Sequence, residues 1–330
     1  MTPTVLALAG GVGGAKLAVG LAKVLPPERL TIVVNTGDDE VFHGLHVSPD
    51  LDTMMYALAG LTNTVTGWGV AGDTFNGLAL LRRYGADTWF NLGDKDLATH
   101  IRRTQLLREG GTLSQATESL CRSLGILHRV VPMSDAALRT VVETGEGALA
   151  FQDYFVKHRC EPVAKAVRFE DGGGRDVGST GAVGPSPAFL GALDEASVLV
   201  YCPSNPFLSI APVLALKGVR ERVRSFQGPR VAVSPIVGRE ALRGPAAKLL
   251  AELGYEVSCR GVAEQYAGLC DVFVIDEVDR DQARAVEALG MRVVVAPTVM
   301  ISDVDKERLA RRILDMVGGA NSEDGGVRTA

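Results

Sequence analysis

No Cys-x-x-Cys spacing occurs in this chain, and its five cysteines, Cys121, Cys160, Cys202, Cys259 and Cys270, are odd in number and far apart. That pattern argues against both a disulfide framework and a thiolate metal site, and it suits a reducing cytoplasm. Basic blocks are missing too: 34 Lys and Arg against 39 Asp and Glu leave a formal charge of −5. Without a run of positive charge to neutralise successive phosphates, general nucleic-acid binding is not expected, whereas a small anion held in one local pocket is compatible. No stretch reaches membrane-spanning length. The apolar N-terminus lacks a basic flank, is interrupted by four glycines and contains Lys16, so it does not read as a secretory signal. His43 and His46 have no third His or Cys at ligand spacing, and no Gly-x-Ser-x-Gly elbow surrounds Ser48, Ser134, Ser204 or Ser234. Zinc and a serine nucleophile are therefore not expected.

What the chain does have is core and alternation. Hydrophobic residues make up 46% of its 330 positions. Short β-branched runs at Val5 to Ala9, Thr31 to Val34, Val198 to Tyr201, Arg230 to Ser234, Val272 to Ile275 and Arg292 to Ala296 read as strands. Apolar residues at helical spacing mark Ala15 to Leu25, Ala241 to Leu253, Asp281 to Leu289 and Lys306 to Met316. Strands alternating with helices predict an α/β fold, a Rossmann-like, mostly parallel sheet covered on both faces. Asn91 to Leu124 reads as mainly helical, Leu149 to Arg168 is aromatic and β-branched, and Asp171 to Arg175 reads as a turn. The expected organisation is a core of residues 1–96 and 188–317, an inserted smaller α/β subdomain at 97–187, and a glycine-rich tail at 318–330.

In parallel sheets, ligands sit beyond the carboxyl ends of the strands, so chemistry is sought there. After the first strand comes Gly10-Gly11-Val12-Gly13-Gly14-Ala15-Lys16. Glycines opening a helix leave backbone N–H groups facing an anion, which points to nucleotide or diphosphate binding. The run is neither a Walker loop, which needs Gly-Lys-Ser/Thr, nor a complete dinucleotide fingerprint. After the second strand come Asp38 and Asp39, then Asp50 and Asp52. Four acids beside a phosphate site supply the hard oxygens that Mg²⁺ takes; the local alternative is that Asp38 and Asp39 close a turn and Asp50 caps a helix starting at Leu51. Asp94, Lys95, Asp96, His100, Arg102 and Arg103 form a third polar group at an expected helix start; Asp94 and Asp96 can serve the helix N-terminus alone, whereas Lys95, His100 and Arg103 suit a substrate with several negative charges. Two further strand-end loops carry Ser204 and Asn205, and Ser234.

Taken together, the motifs Gly-Gly-Val-Gly-Gly-Ala-Lys-Leu, Asn-Thr-Gly-Asp-Asp, Ser-Pro-Asp-Leu-Asp-Thr, Leu-Gly-Asp-Lys-Asp-Leu-Ala-Thr-His, Pro-Met-Ser-Asp, Pro-Ser-Asn-Pro and Ser-Pro-Ile-Val-Gly resemble, in this order, the 2-phospho-L-lactate transferase family of coenzyme F420 biosynthesis. The resemblance runs from about Val5 to Met316. It implies a Mg²⁺-dependent enzyme with a Rossmann-like core, which moves a phospholactyl or phosphoenolpyruvyl group from a guanosine-diphosphate-linked donor to the deazaflavin FO and releases GMP. Its substrates would be small molecules, and a cytosolic homodimer is the default assembly.

Carried over by motif, the resemblance puts Gly11, Val12, Gly13, Gly14 and Lys16 near the donor diphosphate; Ser204 and Asn205, from their place in a strand-end loop, can donate to a base or phosphate, the equal alternative being that the prolines there only punctuate a turn. It makes Asp38 and Asp50 the Mg²⁺ ligands, brings Asp52 and Asn91 to FO, and leaves Lys95, His100 and Arg103 as further contacts. Asp52, with Asp50, would be catalytic, orienting or deprotonating the acceptor hydroxyl. Lys95 replaces an arginine that many members carry, which keeps the charge and loses the planar fork. Two other readings stand beside this one. A non-catalytic nucleotide-sugar-binding regulator could share the glycine loop. An NAD-dependent oxidoreductase rests on the glycines alone and lacks an acid closing the second strand, which ends in Asn35.

Overall fold

The computed structural model describes residues 2–177, 183–241 and 244–318. Its centre is a seven-stranded, all-parallel sheet. The strands are β1 (Val5–Ala9), β2 (Leu30–Val34), β3 (Arg129–Pro132), β4 (Val198–Tyr201), β5 (Arg230–Val233), β6 (Val272–Ile275) and β7 (Arg292–Val295), in the spatial order β7-β6-β5-β4-β1-β2-β3. The order reverses between β1 and β4. At such a switch point the connections leave the sheet in opposite directions and open a crevice at the carboxyl ends of the strands.

Alternation along β1 shows why the sheet is buried on both sides. Leu6 and Leu8 face one apolar layer with Val33, Val131, Leu199 and Tyr201, whereas Val5, Ala7 and Ala9 face the other with Ile32, Val34 and Val200. The second layer is closed by helices α1 (Gly11–Val24) and α2 (Pro49–Leu58), by α5 (Leu113–Ser123), and by the helix Asp303–Gly318. The first takes α6 (Pro187–Glu195), the helices Ala246–Glu252 and Cys259–Gln265, and a three-stranded antiparallel sheet of Gly147–Ala150, Leu138–Thr144 and Ala164–Asp171. Each fully buried Leu or Val in these layers contributes roughly 1.5–3 kcal/mol.

The expected strands are present to within a residue or two. Arg129–Pro132 is an addition. It lies inside the stretch 97–187 yet pairs with β2 as the edge of the principal sheet, so the antiparallel sheet begins only at Leu138. Pro132 closes this strand at the edge, where a missing N–H costs no ladder bond. Helix α1 starts four residues before the expected Ala15, because its glycines are already helical. The expected helix Ala241 to Leu253 is shorter, Ala246–Glu252; residues 242–243 and the tail beyond Gly318 lie outside the described residues.

Two more helices, α3 (Asn76–Arg83) and α4 (Asp94–Arg108), cap each other. Asp94 accepts from the backbone N–H of Asn76 and Gly77 at the start of α3 (3.0 and 2.9 Å), while Asp73 accepts from Lys95 and Asp96 at the start of α4 (2.7 and 3.1 Å). A Cβ on Gly93 would lie 2.1 Å from the Asp73 carboxylate, so only glycine admits this cap. Much of the Leu-Gly-Asp-Lys-Asp motif thus folds the protein, fixing residues 61–75 against α4.

Candidate active site

At the switch point lies a cleft of ≈ 690 Å³ lined from several directions. The glycine loop contributes Gly10 to Gly13 and Lys16, the β2 connection Asp38, helix α2 Asp50 and Asp52, and the loops after β4, β5 and β7 Ser204, Ser234 and Thr298. Five aromatic residues, Tyr56, Trp68, Phe90, Phe151 and Phe155, also line it.

The glycines meet two local needs. Gly11 sits at φ +64°, the left-handed region that L side chains avoid. A Cβ on Gly13 would fall 2.3 Å from the Pro203 carbonyl oxygen, and one on Gly10 2.5 Å from an Asp50 oxygen. The close approach that the sequence suggested is therefore made first by the protein itself. Gly11 N–H donates to Asp50 at 2.8 Å and Gly10 N–H to Ser204 Oγ at 3.1 Å. Gly14 is buried against Ser204 and does not line the cleft; Lys16 does, and its Nζ donates to the Met300 carbonyl at 2.7 Å.

Helix α2 begins at Pro49 rather than at Leu51, with Ser48 before it. Asp50 does not cap its own helix: its carboxylate crosses to Gly11 N–H and to Asn35 Nδ2 at 3.0 Å. Asn35, buried at the end of β2, also accepts from Gly37 N–H at 2.8 Å, so it orients both Asp50 and the turn that carries Asp38. Asp39 has its own partners, accepting from Ser48 Oγ at 2.7 Å and facing His46 Nε2 at 3.0 Å, and its charge adds to the upward push on the Asp38 and Asp50 acids.

Asp38 and Asp50 are both buried and close enough to repel. Burial, and then the charge of Asp50, pushes the Asp38 acid well above the usual carboxylate range, and burial pushes Asp50 up to about 6. Asp38 Oδ1 is buried without a hydrogen-bond partner. An orphaned carboxylate oxygen beside a second carboxylate is a donor set that a hard divalent cation fits.

Asp52 has a different environment. Its two oxygens receive the guanidinium of Arg103, a fully buried residue of α4, in a two-point contact. His100 lies between acids, with Nδ1 3.6 Å from Asp52 and Nε2 3.2 Å from Asp96, and Tyr56 donates its hydroxyl to Asp96 at 2.6 Å. Asp52, Asp96 and His100 each place a ligand atom within 4.8 Å of the others and could hold a metal ion. Here a guanidinium already meets Asp52.

Of the residues expected to meet ligand, Gly11, Val12, Gly13, Lys16, Asp38, Asp50, Asp52, Asn91, His100, Ser204 and Asn205 converge on the cleft. Arg103 and Lys95 do not line it. Arg103 is turned inward to Asp52, and Lys95 Nζ donates to the Ala71 carbonyl at 2.9 Å. Asn205 uses Oδ1 to accept from Phe207 and Leu208 N–H. Sequence reasoning missed the aromatic wall, whose members come from four separate segments with no common spacing.

The family model for 2-phospho-L-lactate transferase CofD matches residues 5–309. The chain belongs to this family. Its relatives include a phosphoenolpyruvate transferase of Streptomyces griseus subsp. griseus, 43% identical over 319 residues that cover 94% of this chain and 98% of the relative. A 2-phospho-L-lactate transferase of Methanosarcina mazei is 39% identical over 305 residues, 92% of this chain and 97% of the relative. Among solved structures, a UPF0052-family protein of Bacillus halodurans superposes with a TM-score of 0.60 at 16% identity, covering 95% of this chain and 99% of that one; this likeness is one of fold. No helix among the described residues is long and apolar enough to cross a membrane.

Proposed function

We propose that this CofD-family transferase moves a phospholactyl or phosphoenolpyruvyl group from a guanosine-diphosphate-linked donor to the primary ribityl hydroxyl of the deazaflavin FO. The observation that carries this reading is one cleft lined together by the glycine loop and Lys16, by Asp38, Asp50 and Asp52, and by several aromatic rings. The amino end of α1 and Lys16 suit a diphosphate, with Ser204, Ser234 and Thr298 for the nucleoside. Tyr56, Trp68, Phe90 and Phe155 suit a flat heteroaromatic ring, and Asn91 also lines the cleft.

The acceptor hydroxyl forms a new O–P bond to the phosphorus bearing the lactyl or enolpyruvyl oxygen. The anhydride bond breaks, GMP leaves with the electron pair, and the hydroxyl proton is released. No enzyme nucleophile is required. Asp52 accepts a hydrogen bond from the attacking hydroxyl and orients it, and Lys16 offsets charge on the departing phosphate. Asp38 and Asp50 would hold Mg²⁺, which, when bound, neutralises charge on the transferring phosphoryl group. Lys16 is the one lysine or arginine among the described residues lining the cleft, against Asp38, Asp50, Asp52 and Asp96, so a diphosphate bound there needs a cation beside it.

The test is mass spectrometry of products after mixing the protein with Mg²⁺, FO and each guanylylated acid in turn. The reading expects GMP together with an FO phosphodiester, and the preferred acid identifies the donor. Binding of guanine nucleotide with no binding of FO would favour the regulator instead. Action in the cytosol as a homodimer belongs to the same proposal; sedimentation at a single-chain mass would remove the dimer.

A further inference from the structure

We propose that Arg103 is a positioning residue: by gripping both oxygens of Asp52 from inside the fold, it sets the direction in which that carboxylate faces the acceptor hydroxyl. The inference rests on the role given to Asp52 above.

Asp52 is the fourth residue of α2, and its own N–H already donates to the Ser48 carbonyl at 2.9 Å. Among the described residues, the hydrogen bonds its carboxylate accepts come from Arg103 alone. The guanidinium is 0% exposed and lies behind the carboxylate, outside the cleft that Asp52 lines. A planar fork meeting a planar carboxylate at two points fixes the plane of the acid as well as its place, which a lysine ammonium cannot do. His100 limits the same carboxylate from one side, with Nδ1 3.6 Å away, and is itself 3.2 Å from Asp96. Asp96 is fixed in turn by the Tyr56 hydroxyl, and its backbone N–H by Asp73. The setting of Asp52 thus follows from α4 and its cap, not from α2 alone. Acceptor capacity remains on both oxygens of a carboxylate held at two points, and Asp52 lines the cleft, so a hydroxyl there meets an acid of fixed orientation.

The test is a double-mutant cycle of Arg103→Lys, Asp52→Asn and the pair. It reads kcat at saturating FO, KM for FO, and GDP binding as the measure of folded protein. With native Asp52, Arg103→Lys should lower kcat roughly 30- to 100-fold, the scale of an ångström-level misplacement, while KM for FO stays within about threefold. With Asn at position 52, adding Arg103→Lys should change kcat by less than about threefold, because the group it orients is gone. An equal loss of kcat in both backgrounds, or a rise in KM with kcat intact, overturns the inference and makes Arg103 a structural or binding residue. Unchanged turnover and FO affinity in Asp52→Asn alone would remove the role of Asp52, and the inference with it; that result is distinct from an equal loss in both backgrounds. Should Arg103→Lys not fold, His100→Gln loosens the same carboxylate and must obey the same rule, lowering kcat with native Asp52 but not in Asp52→Asn.

Discussion

Asp50 and Asp52 stand two residues apart in one helical turn, too few to share a face, and the fold treats them in opposite ways. Asp52 meets a buried guanidinium, so its countercharge is part of the protein. Asp50 meets Asp38, and the nearest help is neutral, the N–H of Gly11 and the amide of Asn35. Asp52 has its countercharge within the fold; Asp38 and Asp50 have none among the described residues, hold their protons to higher pH, and would give them up to a divalent cation. Burial alone therefore does not separate the two acids; the built-in cation does, marking Asp52, proposed to orient the acceptor, apart from the pair proposed to hold Mg²⁺.

The largest expected effect is on turnover at the unbalanced pair. Asp38→Asn should lower kcat on the order of 10²- to 10³-fold, the scale for losing one preorganised electrostatic contact, while the thermal midpoint of the metal-free chain holds or rises. Asp52→Asn should do the reverse to stability, lowering it by about 3 kcal/mol, because a buried arginine loses its counterion. Denaturant unfolding of the two variants side by side checks the opposite signs; a matching loss in both would erase the distinction.

The pair also predicts a pH dependence. Both acids are raised in the folded state, so their contribution to stability is fully present below the usual carboxylate value of about 4 and is lost as pH rises, through about 6 for Asp50. A divalent cation binds the charged forms, so the thermal shift produced by Mg²⁺ should be larger at pH 8 than at pH 5. A shift independent of pH would break the link between these acids and the ion.

Smaller effects sharpen the outline. Gly13→Ala drives a methyl into the Pro203 carbonyl and should cost about 1–3 kcal/mol by denaturant titration. Trp68→Ala should raise KM for FO roughly tenfold with little change in KM for the donor, as read from initial rates. Asp303→Asn, remote from both acids, is the control. Its carboxyl is held down to about 2 by Lys23 and Lys306, so its contribution is present above the usual carboxylate value and fades as pH falls toward 2. The pair is solvent-exposed, and the loss at neutral pH should stay within about 0.5 kcal/mol.

The sheet was legible because buried parallel strands are continuous β-branched runs, and β1, β4 and β6 were placed to the residue. Arg129–Pro132 escaped notice because it is short, opens on an arginine and closes on a proline. The acidic loops were legible as chemistry because they follow strand ends. What spacing could not reveal was partnership: Arg103 reads as a contact for an anionic substrate, whereas its burial turns it to Asp52, and Asp94, expected to serve a helix N-terminus, serves that of α3 and not only its own. The aromatic wall is assembled by tertiary packing from residues 56, 68, 90, 151 and 155, so no local pattern announced it.

Divalent-ion binding tests the contrast between the two acidic groups most directly. Mn²⁺, titrated by calorimetry into the native chain, Asp38→Asn and His100→Gln in the presence of GDP, should bind the first and third with similar affinity and the second at least tenfold more weakly. Loss of the ion in His100→Gln with retention in Asp38→Asn would place the cation at Asp52 and Asp96 and contradict the account.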